Sequence, residues 1–168
     1  TTGPYVSLTS NVINDAGGNA NQLADYNEII DVDLMLENFG QGDAVGVGLT
    51  VTTTCPYVTI NSSSLNKVNI QSGNAAGITN AFNYTVAAFV PDNTPAVFDI
   101  VLTDSAGTVW STSITHLLKA PMLQVYSITV SDPTGNNNGI LEPGETADVT
   151  IKTNNKGHSA TTASTATL

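Results

Sequence analysis

Ile30-Asp31-Val32-Asp33-Leu34-Met35-Leu36-Glu37 is the stretch that decides the fold. Ile30, Val32, Leu34 and Leu36 fall on one side of an extended chain, and Asp31, Asp33 and Glu37 fall on the other. Side chains alternate along a strand with a period of two, so one face is set to be buried and the other to meet water. The same alternation returns further on. Phe82, Tyr84 and Val86 oppose Asn83 and Thr85, and Phe98, Ile100 and Leu102 alternate with Asp99, Val101 and Thr103. Asp104-Ser105-Ala106-Gly107 reads as a turn, and a strand through Val109, Ser111, Ser113 and Thr115 returns from it. Helical spacing is not sustained anywhere. The expectation is an all-β chain whose two antiparallel sheets pack as a sandwich with polar outer faces.

Composition agrees with that class. Only 11% of the 168 residues are charged, so solubility rests on Thr, Ser, Asn and Gly, which favours strands and turns over helices. Four Lys and Arg face 14 Asp and Glu, a formal net charge of −10. Such a surface repels phosphate backbones and anionic membranes, which argues against nucleic-acid partners. No apolar run approaches the roughly 18 residues of a membrane-spanning helix, so membrane insertion is not expected. The chain begins Thr1-Thr2-Gly3-Pro4, with neither Met nor a signal segment, and reads as a piece of something larger. Cys55 is the sole cysteine and has no internal partner for a disulfide.

An internal repeat sets the domain boundary. With Asp15 laid on Asp132, 117 positions on, the register runs without a gap through Gly40 and Gly157. Gly18 meets Gly135, Asn19 meets Asn136, Asn21 meets Asn138, Asp25 meets Glu142, and Glu28 meets Glu145. Asp31 and Val32 meet Asp148 and Val149, and Asn38 meets Asn155. Most of these matches are polar or glycine, which core periodicity alone would not produce. Tyr5-Val6-Ser7-Leu8-Thr9 corresponds to Met122-Leu123-Gln124-Val125-Tyr126, placing a second unit's start near Ala120-Pro121. Residues 1–120 then form one immunoglobulin-like β-sandwich module of ordinary size. Residues 121–168 form the start of a second copy, truncated, with about three strands and too few for a closed two-layer core.

The acidic loop that heads each unit carries the candidate chemistry. Asn136, Asn138 and Gly139, followed by Glu145, are spaced like later positions of a twelve-residue calcium loop, in which alternate residues turn oxygens inward. Thr134 stands where that loop begins with Asp, and no helices flank it, so this is not an EF-hand; Asp132 could supply the missing carboxylate. The expected metal ligands are Asp15, Asn19, Asn21, Asp25 and Glu28 in the first unit and Asp132, Asn136, Asn138, Glu142 and Glu145 in the second. The cation would be structural Ca2+. Because Gln22 replaces a glycine and Tyr26-Asn27 replaces Pro143-Gly144, a metal site in the first loop is expected to be less regular. The competing reading is that Asp, Asn and Gly populate these loops as turn formers, bonding to nearby backbone.

Asn136 to Val149, continuing through Asn154-Asn155-Lys156-Gly157-His158-Ser159-Ala160, resembles the β-sandwich modules of secreted Bacteroidetes proteins that follow gingipain-type cysteine peptidase domains. Cys55-Pro56-Tyr57-Val58-Thr59-Ile60, Ala81 to Val86, and Val90-Pro91-Asp92 resemble later strands of such modules, so the resemblance covers most of the chain. Cys55 departs from the acidic or polar residue expected there. The resemblance implies a secreted or cell-surface parent. The module would be a non-catalytic spacer, a stabiliser or an adhesion surface, with neighbouring domains, host or cell-surface proteins, or glycans as partners.

Two other functional classes compete with this one. Peptidase chemistry needs a nucleophile, a base and an orienting group together; Cys55 with His116 is the only pair within the first unit, and its surroundings lack the glycine-rich context of a gingipain catalytic pair. His158 has no second His at ligand spacing, which argues against zinc. A carbohydrate-binding or adhesin module needs exposed aromatics. Trp110 is the single Trp, with Tyr5, Tyr26, Tyr57, Tyr84 and Tyr126 scattered, and it is expected in sheet or core packing.

Overall fold

The alternation at residues 30–37 is one long strand of a sheet whose inner face is closed off from water. The computed structural model describes residues 2–63, 67–162 and 164. The chain divides into two compact units, Thr1–Ala120 and Pro121–Leu168. The first contains β1 (Val6–Asn14), β2 (Ala24–Asp25), β3 (Ile29–Asn38), β4 (Ala44–Thr52), β5 (Val58–Ser63), β6 (Val68–Ile70), β7 (Ala75–Val86), β8 (Thr94–Thr103) and β9 (Val109–Lys119). The second contains β10 (Leu123–Ser131) and β11 (Asp148–Asn155). The described residues contain no helix.

In the first unit one sheet runs β1-β3-β7-β5 and the other β2-β9-β8-β4-β6. The sheets are antiparallel, as expected, apart from one two-residue pairing. Ala24 and Asp25 pair in parallel with Leu118 and Lys119. The cause is the path of the chain: β1 lies in one sheet, the acidic loop crosses to the other as β2, and the chain returns as β3.

Ile30, Val32, Leu34 and Leu36 are all buried, and so are Phe82, Tyr84 and Val86 of β7 and Phe98, Ile100 and Leu102 of β8. Residues of both sheets belong to a single apolar cluster, which makes the unit a β-sandwich. Phe98 joins the layers, its ring centroid 5.4 Å from that of Phe82 and 4.7 Å from that of Tyr84. Each such side chain contributes about 1.5–3 kcal/mol on burial, so this aromatic contact is a principal source of cohesion between the sheets.

One polar chain crosses that core. The Tyr84 hydroxyl lies 2.8 Å from His116 Nδ1, and His116 Nε2 lies 3.0 Å from Asn11 Oδ1. A neutral imidazole satisfies both, with Nε2–H donating to Asn11 and Nδ1 accepting from the phenol. Burial holds the His116 pKa down at about 4 and pushes the Tyr84 phenol well above its ordinary value, so it remains a donor. His116 is therefore a core residue rather than an ordinary strand residue near a sheet end.

The second unit is a single antiparallel pair of strands among the described residues, one fewer than expected. Leu123 and Val149 are 44% and 40% exposed, whereas Val6 and Val32, 117 positions earlier, are 2% and 0% exposed. The first unit has an opposing sheet of its own, and the second has none among its described residues.

Neutral His116 gives a pH-dependent stability with a definite sign. The unfolded imidazole titrates near 6.5 and the folded one near 4, so the unfolded state binds more protons between these values. Stability should be full above pH 6.5 and fall as pH drops toward 4, by about 3 kcal/mol at the limit. Urea melts between pH 7 and 5 should show the decline, and His116→Gln should flatten it; an equal slope in the variant would contradict the assignment.

Candidate metal-binding loops

Each acidic loop closes on the carboxylate at its head. Asp15, at the end of β1, is only 2% exposed. The Asn21 N–H donates to Asp15 Oδ2 at 2.8 Å, and the Gln22 N–H donates to Oδ1 at 3.1 Å. The Gly18 N–H donates to the Asp15 carbonyl, which makes the first turn. Two backbone N–H groups thus close the loop on one buried carboxylate, and such bonds are stronger for its charge.

The other residues of the expected site join the same network. Asn19 Nδ2 and Asn21 Nδ2 both donate to Asp25 Oδ2, at 2.6 and 2.8 Å. Asn19 Oδ1 accepts from the Asn21 N–H and Asn21 Oδ1 from the Leu23 N–H, both turns formed by an Asn two residues back. Glu28, just before β3, reaches back to accept the Asn19 N–H at 2.8 Å. The five residues named from the sequence are therefore together in the fold.

The second loop repeats this arrangement bond for bond, 117 positions on. Asn138 N–H and Gly139 N–H donate to the two oxygens of Asp132, which is fully buried. Asn136 Nδ2 and Asn138 Nδ2 donate to Glu142 Oε2, and the Asn136 N–H donates to Glu145 Oε1 at 3.1 Å. The two loops share one backbone path. Gln22 and Asn27 adopt the left-handed φ of 64° and 57° that Gly139 and Gly144 adopt at 75° and 86°. Substituting these glycines costs strain, of order 1 kcal/mol per residue, but leaves the path unchanged.

Gly18 and Gly135 are conserved between the loops for a steric reason visible in both. A Cβ on Gly18 would overlap the Glu28 carboxylate, and one on Gly135 would overlap that of Glu145. The closing Glu therefore lies flat on a glycine.

The bonds bear directly on a metal. Calcium takes six to eight oxygens, and the loops offer only oxygen ligands. Both oxygens of Asp15 and of Asp132 are engaged with backbone N–H groups, and Asp25 Oδ2 and Glu142 Oε2 face amide donors. Among the described residues, no three Asp, Glu, His or Cys side chains are grouped as a metal site requires. Asp15, Asp132 and the four Asn make the local loop bonds that the competing reading expects of these positions. One feature of the donor set does fit a cation: Glu28 Oε2 and Glu145 Oε2 are buried and have no hydrogen-bond donor. A cation would satisfy that oxygen in each loop.

A repeated residue with a structural task had no role assigned from its position alone. Asn38, at the end of β3, accepts the Tyr5 and Gly40 N–H groups at Oδ1 and donates to the Gly42 and Ile70 carbonyls. Asn155 likewise accepts from Met122 and Gly157 and donates to Ser159. The signal was an Asn two residues before a Gly, repeated in both units.

Of the peptidase candidates, Cys55 is half-buried before a turn closed by the Val58 N–H on its carbonyl. The two ring nitrogens of His116 face Tyr84 and Asn11. No protein-family model matches the chain, and no curated protein matches it.

The steric argument gives a double-mutant cycle. Gly18→Ala should dislodge the Glu28 carboxylate and cost roughly 1 kcal/mol in urea unfolding. In a Glu28→Ala background the same change should cost about half of that or less, because the group it displaces is gone. Equal costs in both backgrounds would refute the contact.

Proposed function

We propose that the chain is a non-catalytic structural module of a secreted or cell-surface protein: an immunoglobulin-like β-sandwich followed by the beginning of a second copy. The observation that carries this reading is the loop network repeated at a spacing of 117, together with the matching Asn38 and Asn155 clamps. The β-strands repeat as well. Val6 pairs with Asn38 as Leu123 pairs with Asn155, and each first strand breaks register at the same place, between Leu8 and Ser10 and between Val125 and Ser127. Such modules act by holding neighbouring domains at fixed spacing, and the resemblance to modules that follow gingipain-type peptidases suggests a peptidase as that neighbour. The engagement of His116 with Tyr84 and Asn11 supports a non-catalytic reading, since a base for Cys55 would need that imidazole.

Calcium belongs to the proposal as a structural ion at the Glu28 and Glu145 oxygens that lack donors, with Asp25 and Glu142 linked to them through Asn19 and Asn136. It would neutralise carboxylates in a chain of net charge −10 and fasten the loop to β3 and β11. Thermal melts in millimolar calcium and in chelator test this, because a ligand of the native state alone must raise the midpoint. The expected result is a rise of several degrees that Glu28→Gln reduces; an unchanged midpoint removes calcium from the account. The same preparation should leave casein intact, and cleavage that disappears in Cys55→Ala would overturn the non-catalytic reading.

A further inference from the structure

A cleft of about 260 Å3 opens in the first unit, with β1 on one side and β9 on the other. Trp110 and Tyr5 line it, and so do the hydroxyl residues Ser7, Ser111 and Thr112, with Leu102 beneath. Trp110 is half-buried and packs against the core cluster, while Tyr5 is 52% exposed. The single Trp is thus neither wholly a core residue nor free on the surface: it forms part of a wall.

Both walls are strand edges. β1 is the outermost strand of its sheet, and the neighbour of β9 on this side, β2, reaches only Leu118 and Lys119. On the side away from β8, the segment 110–112 has no strand partner among the described residues. Two aromatic residues and three hydroxyl residues line the cleft, and no Asp, Glu, Lys, Arg or His does. In a chain of net charge −10, a cleft without charge selects an uncharged ligand.

A pyranose ring has this chemistry. Its C–H face is apolar and lies against an aromatic ring, while its hydroxyls both donate and accept around the rim. The volume falls below the roughly 300 Å3 at which drug-sized sites begin, so it suits one ring and not an extended chain. An added peptide strand fits less well. The β9 wall is three residues long, about 10 Å of strand, whereas strands ordinarily run to five or six residues.

We propose that this cleft binds one neutral pyranose ring, the terminal residue or a branch of a glycan, between Tyr5 and Trp110. The site would give the adhesion surface suggested for the module a ligand class and a location. It uses none of the acidic-loop residues, so its success or failure is independent of calcium.

Trp110 is the only tryptophan, so its fluorescence reports on the cleft alone. The methyl glycosides of glucose, galactose, mannose and N-acetylglucosamine are titrated to about 10 mM, where a millimolar site is mostly filled. At least one should shift the emission saturably. Tyr5→Ala and the isosteric Thr112→Val should each weaken that ligand roughly tenfold, with circular dichroism and melting midpoint unchanged, as expected for loss of a stacking face or a hydrogen bond. Calorimetry on Trp110→Phe should still detect weakened binding, and on Trp110→Ala none. Absence of saturation with all four sugars would overturn the proposal. So would binding that both Tyr5→Ala and Thr112→Val leave intact, or saturation by an extended peptide alone.

Discussion

The buried carboxylate of Asp15 is the constraint on which the first unit depends. The chain leaves β1 in one sheet, touches the other as β2, and returns as β3, and such a crossing strands backbone N–H groups away from any ladder. Asp15 takes those of Asn21 and Gln22, and the Tyr26 N–H beyond them reaches the Lys119 carbonyl. Buried backbone groups must find partners, and one left unmade costs about 1–3 kcal/mol. A single anion thus makes the crossing affordable and ties the two layers together at one end, while Phe82, Tyr84 and Phe98 tie them through the core.

The second unit separates what is local from what is not. Its loop forms the same bonds around Asp132 although β10 and β11 have no opposing sheet among the described residues. The network is therefore encoded within the loop itself and its two flanking strands. Burial is not: Leu141 is 58% exposed where its counterpart Ala24 is fully buried against the second sheet. Leu141 and Glu142 also fail to form the short strand seen at Ala24 and Asp25, because that strand exists only by pairing with β9.

This separation explains what the sequence revealed. Strands and their buried faces were legible from alternation at residues 30–36, 82–86 and 98–102, since burial on one face imposes a period of two. The loop residues were legible because the repeat kept Asp15, Asn19, Asn21 and Glu28 at fixed spacing. Their direction of bonding was not, because an Asp that binds a cation and an Asp that gathers N–H groups use the same residue types in the same turns. The equivalence of Gln22 and Gly139 was hidden, as backbone strain tolerated at one residue leaves no compositional trace. The parallel pairing of β2, the core position of His116 and the cleft beside Trp110 arise from contacts between distant segments, which local periodicity does not encode.

Amide hydrogen exchange on Asn21, Gln22, Asn138 and Gly139 tests the account most directly, since each of these N–H groups lies in a loop and donates to a carboxylate. All four should exchange well below the rate of an open loop, and Asp15→Ala should release the first two while leaving the second two protected. Free exchange at Asn21 and Gln22 in the unaltered protein would contradict the claim that Asp15 holds the crossing.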